Sequence, residues 1–361
     1  MSFLRARIYD EDWSEMKNYT IHWKGRDVKF PTIFRVPAPF EMGGGFYGPE
    51  DPRIIIEEGV DDAEPVIVHN MLSDIKRAAR TMHILRPFTN SSILLNITEQ
   101  HDPPLSEKNW APFYYNPNPS TQRLPSQYLH FIYDFKPLQI IKCHLGRGHC
   151  KFVYKQSVSE EQYAKYKDAR GRMNGGTNLI SIPLNNTAGK MAYVGFPRTH
   201  MDAGCLMGAS YRPELMVMVA VSGSSFYIDY LSQWTDFGSA VLPPQVQIDP
   251  CGDGRIMMAS SIARWDTDNG QDVMTLFLSL ADAMVQVLRV HGVLAYVDGL
   301  MRLKRWQNDW ARRGSRDEQR SKVGYDILGC SVEVVQNYTV AVAKAVHGKE
   351  LGVLTEPWGN V

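Results

Sequence analysis

The segment Pro213–Ser232, PELMVMVAVSGSSFYIDYLS, contains two apolar runs separated by Ser and Gly residues. Short runs rich in Val, Ile, Tyr and Phe, with turn-forming residues at both ends, are typical of β-strands. The same pattern recurs along most of the chain, from PRIIIEEG at residues 52–59 to AMVQVLRVHG at residues 283–292. These segments predict a protein built mainly of β-strands.

The many predicted strands and the scarcity of helical segments favour an all-β fold over alternating strands and helices. So many strands need a closed or radial arrangement that hides their edges, and a β-propeller meets this need. No clean sequence repeat sets the number of blades. Because no Pro/Ser/Gly-rich linker divides the chain, we expect one domain, with a propeller over residues 1–295 and a helical extension over residues 296–361 packed on it.

Helical patterns are few. Ser159–Ala169 begins with Ser followed by two Glu residues, which is typical of a helix N-terminus. The segment from Val297 to Arg320 carries apolar residues at helical spacing, namely Leu300, Leu303, Trp306 and Trp310. Another C-terminal helix is predicted over Val332–Val346. Met71–Ile84 is compatible with either a helix or a charged loop.

The charge balance argues against some classes of partner. The chain of 361 residues has 39 Lys and Arg residues and 39 Asp and Glu residues, so its formal net charge is zero. This balance gives no overall field for nucleic acid or an anionic membrane, although a local basic site is compatible with it. No apolar stretch is long enough to span a membrane, and the start MSFLRARIYDEDW lacks the apolar core of a signal peptide.

Two features favour a secretory compartment. Asn-x-Ser/Thr sequons occur at Asn18, Asn90, Asn96, Asn185 and Asn337, whereas chance gives roughly two in a chain of this length. Cys143 and Cys150 are spaced for a small disulfide loop in an oxidising compartment. Zinc binding with the neighbouring His144 and His149, or unlinked thiols, are the alternatives.

The segment Gly48–Ile56, GPEDPRIII, places two acids, a proline and an arginine at the start of a predicted strand. The proline fixes its own φ and biases Asp51 toward an extended conformation, so the carboxylate is oriented before the strand begins. Arg53 is able to pair with Glu50 or another acid, which favours their charged forms. A salt-bridged turn is the structural alternative to a functional site.

Three further segments contain residue types that suit a phosphorylated sugar. Glu107–Phe113, EKNWAPF, places Lys and Asn donors beside the plane of a Trp. Gly195–His200, GFPRTH, and the following Tyr211-Arg212 bring two Arg residues, a His and a Tyr to the ends of apolar runs, which suits a diphosphate. Asn174–Thr177, NGGT, is a turn that is also able to present backbone N–H groups. The structural alternatives are a buried Trp, surface Arg residues and a tight turn.

A metal site is not predicted. The two Asp-x-Asp patterns, Asp10–Asp12 and Asp266–Asp268, are no more frequent than chance gives for the Asp content of the chain. A divalent cation is compatible with the sequence, but no pattern supports one, so we predict no cofactor.

Taken in their order along the chain, these segments resemble the fungal β-1,2-mannosyltransferases. The resemblance extends from about Phe30 to about Val290 and rests on GPEDPRIIIE, EPVIVHNM, EKNWAPF, FIYDFKPLQIIKC, NGGTNLI, GFPRTH, YRPELMVM and DGRIMMASSIARWD. It implies a five-bladed β-propeller, GDP-mannose as donor, and β-1,2-linked mannose added to cell-wall mannan or related glycans. Because members of that family are Golgi type II membrane proteins, it also implies the Golgi lumen and an N-terminal anchor missing from this chain.

The same segments are more distantly similar to the bacterial β-mannoside phosphorylases, which are also five-bladed propellers. Their Glu-Asp-Pro-Arg motif contains the catalytic Asp, which corresponds to Asp51. Their phosphate cluster of Lys, Arg, His and Tyr has its best matches in Lys108, His200 and Tyr211, with Arg198 as a candidate beside them. The Lys block departs from their pattern, because this chain has Lys-Asn-Trp where they have Asn-Lys-Asp. Their His-Arg-Pro block is replaced by Tyr133-Asp134 and Lys136-Pro137, so its Arg donor is either lost or replaced by Arg147 or Arg198.

The resemblance implies an inverting transfer, because GDP-mannose is α-linked and the product is β-linked. We expect Asp51 to be the base that takes the proton of the acceptor 2-hydroxyl, directly or through a neighbouring hydroxyl, with Glu50 and Arg53 positioning it. The expected ligands of the departing diphosphate are Lys108, Arg198, His200, Tyr211 and Arg212. The expected sugar contacts are Asn70, Asn109 and Trp110.

Two other functions stay open at this point. A β-1,2-mannoside phosphorylase or hydrolase shares the fold and the Asp but uses phosphate or water. A non-catalytic glycan-binding propeller binds oligomannose without releasing GDP. The partners expected for the transferase are GDP-mannose and an oligomannoside or mannan acceptor.

Overall fold

The structure is a computed structural model. It describes residues 2–42, 47–100, 103–115, 124–167, 171–183, 190–202, 209–221, 225–235, 237–238, 241, 251–268, 270–302 and 317–347.

Strands dominate the described residues. In chain order they are β1 Leu4–Ala6, β2 Thr20–Trp23, β3 Arg26–Lys29, β4 Thr32–Phe34, β5 Glu50–Ile55, β6 Val66–Asp74, β7 Ala79–Arg86, β8 Ser91–Leu94, β9 Asn96–Ile97, β10 Ala111–Phe113, β11 Tyr128–Phe135, β12 Leu138–His144, β13 His149–Lys155, β14 Gly171–Asn174, β15 Ile180–Pro183, β16 Lys190–Gly195, β17 Arg198–Met201, β18 Ser210–Pro213, β19 Met216–Val221, β20 Ser225–Leu231, β21 Met257–Asp266, β22 Val273–Leu280 and β23 Met284–His291. The α-helices are α1 Glu160–Lys165, α2 Val293–Arg302 and α3 Asp317–His347.

The strands form five larger sheets and two two-stranded ones. The larger sheets have the orders β5-β6-β7-β8, β10-β11-β12-β13-β9, β14-β17-β18, β15-β16-β19-β20 and β21-β22-β23, and the small ones are β1-β4 and β2-β3. Apart from the parallel pair β13-β9, neighbouring strands are antiparallel. The all-β prediction is confirmed, whereas closure into a five-bladed propeller stays a prediction.

Some of the apolar runs form strands that are buried on both faces, whereas β23 alternates between exposed and half-buried residues. The run PELMVMVAVSG supplies β19, all of whose residues up to Ala220 are buried, and SFYIDYLS supplies its antiparallel neighbour β20. Removing both faces of a strand from water favours a continuous apolar run over alternation. Three apolar clusters connect neighbouring sheets: one around β21 and β22, one around β10 and β19, and one around β6 and β12.

The helix predictions have mixed outcomes. Helix α1 begins as predicted, since the Ser159 hydroxyl accepts a hydrogen bond from the Gln162 N–H. The predicted Val332–Val346 helix lies inside α3. Both readings of Met71–Ile84 are wrong, because this segment contains the end of β6, a turn and most of β7. The two strands pair with each other, Met71 with Thr81 and Leu72 with Arg80, and this pairing overrides local helix propensity.

Of the helix predicted from Val297 to Arg320, residues 297–302 and 317–320 lie in α2 and α3. Leu303, Trp306 and Trp310 lie outside the described residues. Val293 and Val297 of α2 are buried in the cluster around β21 and β22. The division of the domain near residue 295 stays a prediction.

Cys143 and Cys150 form a disulfide, as predicted. They face each other across β12 and β13, so the bond joins neighbouring strands. The zinc and unlinked alternatives for this pair are therefore excluded. Cys330 on α3 is a free, exposed thiol.

Candidate functional site

The sheet β14-β17-β18 brings most of the predicted anion-binding residues together. Arg172 of β14 pairs with His200 of β17, and His200 pairs with Tyr211 of β18. Because side chains alternate along a strand, Arg198 lies on the same face as these three. We call this surface, formed by Arg172, Arg198, His200 and Tyr211, the basic face.

Arg212 lies on the opposite side of this sheet, where it pairs with Thr199. Its Nη1 donates to the backbone carbonyls of Tyr211, Gly254 and Arg255, at 2.9, 2.5 and 3.1 Å. Only 3% of its surface is exposed. Arg212 therefore holds backbone in this structure, and its predicted contact with a diphosphate would require these hydrogen bonds to break.

The opposite side of the sheet packs against helix α3. Met201 forms an apolar cluster with Val332 and Val335 of the helix. Buried Glu214, just after β18, accepts hydrogen bonds from the hydroxyls of Thr199 and Ser331, the latter at 2.6 Å. Burial raises the pKa of Glu214 to about 7, while the two hydroxyl donors act in the other direction. This side of the sheet is therefore an interior contact.

Asp51 lies in β5 at a β-bulge. Glu50 pairs with Asn70 and Arg53 with Val68, so β5 has one residue more than β6 over this interval. The φ of Asp51 is 50°, in the left-handed region, so the prediction of an extended conformation is wrong. A bulge changes the direction of a side chain at a strand edge. It leaves Asp51 exposed while Arg53 is buried.

Asp51 is held by a network of polar side chains. The amide nitrogen of Asn70 donates to Asp51 Oδ2 at 3.2 Å and to the Glu50 carbonyl at 3.3 Å. Arg80 donates to Asn70 Oδ1 at 2.9 Å and forms an ion pair with Glu50 at 2.8 Å through both carboxylate oxygens. Asn70 is 2% exposed, so it is a positioning residue for Asp51 and not an open sugar contact.

Arg53 makes different contacts from those predicted. It donates to the carbonyls of Gly176 and, at 3.0 Å, of Gly175, while Glu50 pairs with Arg80. Burial lowers the pKa of Arg53 to about 10, repulsion from Arg198 adds to the fall, and Asp51 opposes it. Arg53 therefore attaches the strand of Asp51 to the Gly-Gly turn.

The Gly175-Gly176 turn is a close-packed junction. Gly175 N–H donates to the Asn109 carbonyl at 3.0 Å. A Cβ on Gly175 would lie 2.1 Å from that carbonyl oxygen, and one on Gly176 would lie 2.0 Å from the Phe196 carbonyl oxygen. Only glycine allows backbones to approach this closely, so the turn fixes the segment around Asn109 against the sheets.

Arg198 connects Asn109 to the basic face. Its Nη2 donates to Asn109 Oδ1 at 2.6 Å, and its guanidinium lies 5.6 Å from the centre of the Tyr211 ring. It is 7% exposed, and its Nε is buried without a hydrogen-bond partner in the described part of the chain. Burial lowers the pKa of Arg198, against attraction from Asp51, Tyr211 and Asp282. An unpaired buried guanidinium N–H is costly in a folded protein.

Lys108 completes a group of cations around Asp51. Its side chain is exposed, yet partial burial of the ammonium lowers its pKa, and attraction to Asp51 acts in the opposite direction. Repulsion from Arg172, Arg80 and Arg198 lowers the pKa further. Our sequence analysis missed Arg80 and Arg172. Each lies on a strand next to a recognised motif, but only strand register shows that it faces the site.

His200 is engaged on both ring nitrogens. Arg172 Nε donates to Nδ1 at 3.1 Å, so the ring proton lies on Nε2, which contacts Asp202 Oδ1 at 2.7 Å. The hydrogen bond from His200 lowers the pKa of Asp202. The ring of Tyr211 stacks on His200 with centroids 4.6 Å apart. His200 therefore orients Arg172 and Tyr211, and its predicted contact with a diphosphate would need one of these bonds to break.

Trp110 does not agree with its predicted sugar contact. The side chain is 2% exposed and packs against Phe131 and Tyr133. Its Nε1 donates to Glu107 at 3.1 Å, so both its apolar and polar parts are used inside the core. The structural alternative for this residue, a buried Trp, is the correct one. Asn109, which is half-buried, keeps its predicted sugar contact as a prediction.

In the described residues, no group of three or more His, Cys, Asp or Glu side chains is arranged to hold a metal ion. Among the helices that the structure covers, none is long and apolar enough to cross a membrane.

The arrangement pairs one carboxylate with several cations. Asp51 interacts electrostatically with Arg53, Lys108 and Arg198, and in all three it opposes the fall in pKa. An additional anion would reduce the repulsion that remains among these cations. It would also give the buried Arg198 Nε a hydrogen-bond acceptor. The site is therefore able to hold an anion beside a carboxylate that is positioned to take a proton.

Comparison with known proteins agrees with this chemistry. A sequence model of the family described as Beta-mannosyltransferases matches residues 1–86 and 87–338. Beta-mannosyltransferase 4 of Komagataella phaffii is 34% identical over 308 residues, which cover 83% of this chain and 58% of that protein. Beta-mannosyltransferase 1 of the same species is 31% identical over 312 residues, covering 82% of this chain and 46% of that protein.

Beta-mannosyltransferase 3 of Candida albicans is 29% identical over 364 residues, covering 96% of this chain and 61% of that protein. The chain thus spans about half to three fifths of the length of these relatives. No solved structure matches the chain.

Proposed function

This chain belongs to the beta-mannosyltransferase family, and we propose that it transfers mannose from GDP-mannose to the 2-hydroxyl of a mannose residue with inversion at the anomeric carbon. The acceptor is an oligomannoside or mannan of the cell wall. The family supports mannosyl transfer in general. The donor, the linkage and the inversion come from the resemblance and from the chemistry of the site.

The observation that carries the proposal is the position of exposed Asp51 beside the cations Lys108 and Arg198, with Arg172 and Arg80 nearby. A nucleotide-sugar transferase needs an acceptor for a proton and donors for a departing diphosphate. A glycan-binding protein without catalysis has no need of a buried cation with an unpartnered N–H. The cluster therefore favours transfer over simple binding.

In the proposed reaction, Asp51 takes the proton of the acceptor 2-hydroxyl, directly or through a neighbouring hydroxyl, as its oxygen bonds to the anomeric carbon. The bond from that carbon to the diphosphate oxygen breaks, and the electron pair leaves with GDP. Lys108 and Arg198 stabilise the charge that develops on the diphosphate. Asn70, held by Arg80, keeps the Asp51 carboxylate in place.

The remaining parts of the proposal concern the setting of the site. We place the five larger sheets as the blades of a five-bladed propeller, since their number equals the number of blades that the resemblance implies. The Cys143–Cys150 disulfide supports an oxidising compartment, for which we propose the Golgi lumen. We propose that the reaction needs no metal cofactor, because the cations already present are able to stabilise the diphosphate.

The test is a donor and acceptor screen with linkage analysis of the product. Purified chain is incubated with GDP-mannose, GDP-glucose or UDP-glucose and an α-1,2-mannotriose acceptor, with and without EDTA. We expect GDP release only with GDP-mannose, unaffected by EDTA, and a new β-1,2 linkage in the product. GDP release without glycan extension, or an α-linked product, would overturn the proposed transfer.

A phosphorylase is the second candidate, because the same cations would hold inorganic phosphate. Incubation with a β-1,2-mannobiose and phosphate separates the two activities. Mannose-1-phosphate formation that exceeds transfer from GDP-mannose would replace the transferase with the phosphorylase, and free mannose alone would indicate a hydrolase.

A further inference from the structure

A cavity of about 530 Å³ lies at the other end of the strands that position Asp51. Residues 54–59 of the β5 segment line it, whereas Asp51 lies near the start of β5. At about 3.3 Å per residue, Asp51 lies roughly 10 Å from Ile54 at the near edge of the cavity and roughly 20 Å from Glu57. Tyr114, just after β10, also lines the cavity, whereas Asn109, just before β10, contacts Arg198. The cavity and the candidate active site are therefore two separate places.

The charge of the cavity is opposite to that of the candidate active site. Its ionisable carboxyl groups are those of Glu57, Glu58 and Asp266, and its single basic residue is Arg264. Arg264 forms an ion pair with Asp266, which leaves the two Glu residues; burial raises the pKa of Glu58, so the negative charge of the wall rests chiefly on Glu57. Carboxylates accept hydrogen bonds from hydroxyl groups but repel phosphates. The cavity therefore favours a neutral, hydroxyl-rich ligand over a nucleotide or a phosphate.

The apolar part of the wall suits one face of a sugar ring. Ile54 and Ile56 are 41% and 54% exposed, and both line the cavity. They are two residues apart in the chain, and together they give the wall of the cavity an apolar patch. Pyranose rings present C–H groups on one face and hydroxyls at the rim, which matches a wall that combines isoleucines with carboxylates.

The polar groups of the wall are held in place before any ligand arrives. The Trp265 ring is oriented by a hydrogen bond of 3.1 Å from its Nε1 to Asp272. Glu57 accepts from the Ser126 N–H at 2.7 Å. Burial raises the pKa of Tyr114, and the charge of Glu57 adds to the rise, so its hydroxyl stays a donor at neutral pH. Pre-organised walls reduce the cost of binding.

We propose that this cavity is a second glycan-binding site, which holds a short mannose-containing oligosaccharide away from the candidate active site. Its volume lies within the range of small-ligand sites and suits a few sugar units. The choice of mannose rests on the proposed function, whereas the preference for a neutral oligosaccharide rests on the wall alone. Such a site would retain a long acceptor chain while its end reacts at Asp51.

The test uses variants that fill the cavity. Ile56→Arg and Ser181→Arg each place a long side chain at its wall, and Val287→Arg is the matched control at an exposed strand position outside it. Binding of α-1,2- and β-1,2-mannotriose is measured by calorimetry with GDP present at saturation. Thermal unfolding and GDP affinity show whether each variant is folded.

Mannotriose binding at the cavity should weaken by at least about tenfold in both cavity variants, a change of about 1.4 kcal/mol. Their affinity for GDP should not change. Val287→Arg should bind like the unmodified chain. Unchanged mannotriose binding in a folded cavity variant, or equally tight binding of inorganic phosphate that the variants abolish, would overturn the second site. A failure of mannosyl transfer in the donor screen would leave this binding result intact, so the two proposals fail separately.

Discussion

Arg198 and Arg212 lie on neighbouring strands of the β14-β17-β18 sheet, but they have different surroundings. Arg198 is on the basic face, with one side-chain acceptor and a buried Nε that has no partner in the described residues. Arg212 is on the opposite face, where three backbone carbonyls accept its hydrogen bonds. Both are buried, so burial alone does not separate a binding arginine from a structural one. The number of protein acceptors around each guanidinium does.

The largest effect is expected at Asp51, because its carboxylate is attracted to Arg198 of the basic face. Asp51→Asn should lower kcat by about 10²–10⁴-fold, because an amide does not accept a proton from the acceptor hydroxyl. Its thermal stability should change little, since an amide oxygen still accepts from Asn70. Transfer is measured with GDP-mannose and mannotriose, and Asp61→Asn, at an exposed position before β6, is the control. Near-full turnover by Asp51→Asn would remove this residue as the base.

For Arg198, the comparison predicts a loss of binding. Arg198→Ala removes a charged donor worth about 1.5–3 kcal/mol, so GDP affinity should fall by about 10–100-fold. Calorimetric titration with GDP measures the effect. An unchanged dissociation constant in a folded Arg198→Ala variant would take Arg198 out of the diphosphate site.

For Arg212, the same substitution should act on folding. Arg212→Ala leaves the carbonyls of Tyr211, Gly254 and Arg255 without their donor, and we expect the free energy of unfolding to fall by about 2–4 kcal/mol. Urea unfolding measures this loss. Where the variant remains folded, GDP should bind as it does to the unmodified chain. If the free energy of GDP binding falls by more than the free energy of unfolding in Arg212→Ala, the two faces of the sheet do not have separate roles.

The last predicted effect concerns Glu214, on the side that packs against helix α3. Its pKa is raised to about 7, so between its unfolded value near 4.5 and pH 7 the folded chain binds more protons than the unfolded one. The stability from this group is complete below about pH 4.5 and is lost as the pH rises through 7, by up to about 3 kcal/mol.

Glu214→Gln removes this titration; its amide oxygen still accepts from one of the two hydroxyls, Thr199 or Ser331, and its amide nitrogen donates to the other. The stability of the variant relative to the unmodified chain should therefore rise between pH 4.5 and 7. Unfolding in urea at several pH values checks the sign. A difference that is constant with pH would show that Glu214 does not change its protonation in this range.

Part of the site was evident in the sequence because the relevant signals are local. Asp51 next to Pro52, and the GFPRTH run, identify residues whose chemistry does not depend on the fold. The sequence also predicted the Cys143–Cys150 disulfide, whose spacing suits a short turn between paired strands. These signals involve residues that are close in the chain.

The failed predictions concern contacts between residues far apart in the chain. Arg80 holds Glu50 across 30 residues, and Arg53 reaches Gly175 across 122. Strand register decides such pairs. A shift of β18 by one residue would move Arg212 to the basic face, and a shift of β17 by one residue would move Arg198 away from it. The burial of Trp110, which packs against Phe131 and Tyr133, depends on contacts of the same kind.

Periodicity and local conformational preference were enough to predict the strand-rich class of the protein, its turns and the residue types available for chemistry. Tertiary structure alone decided which of two neighbouring arginines faces a ligand, which acid pairs with which cation, and where the cavity lies. The physical reason is that the alternation of side chains fixes two faces for every strand, but only pairing with distant strands determines which face is buried and which charges meet.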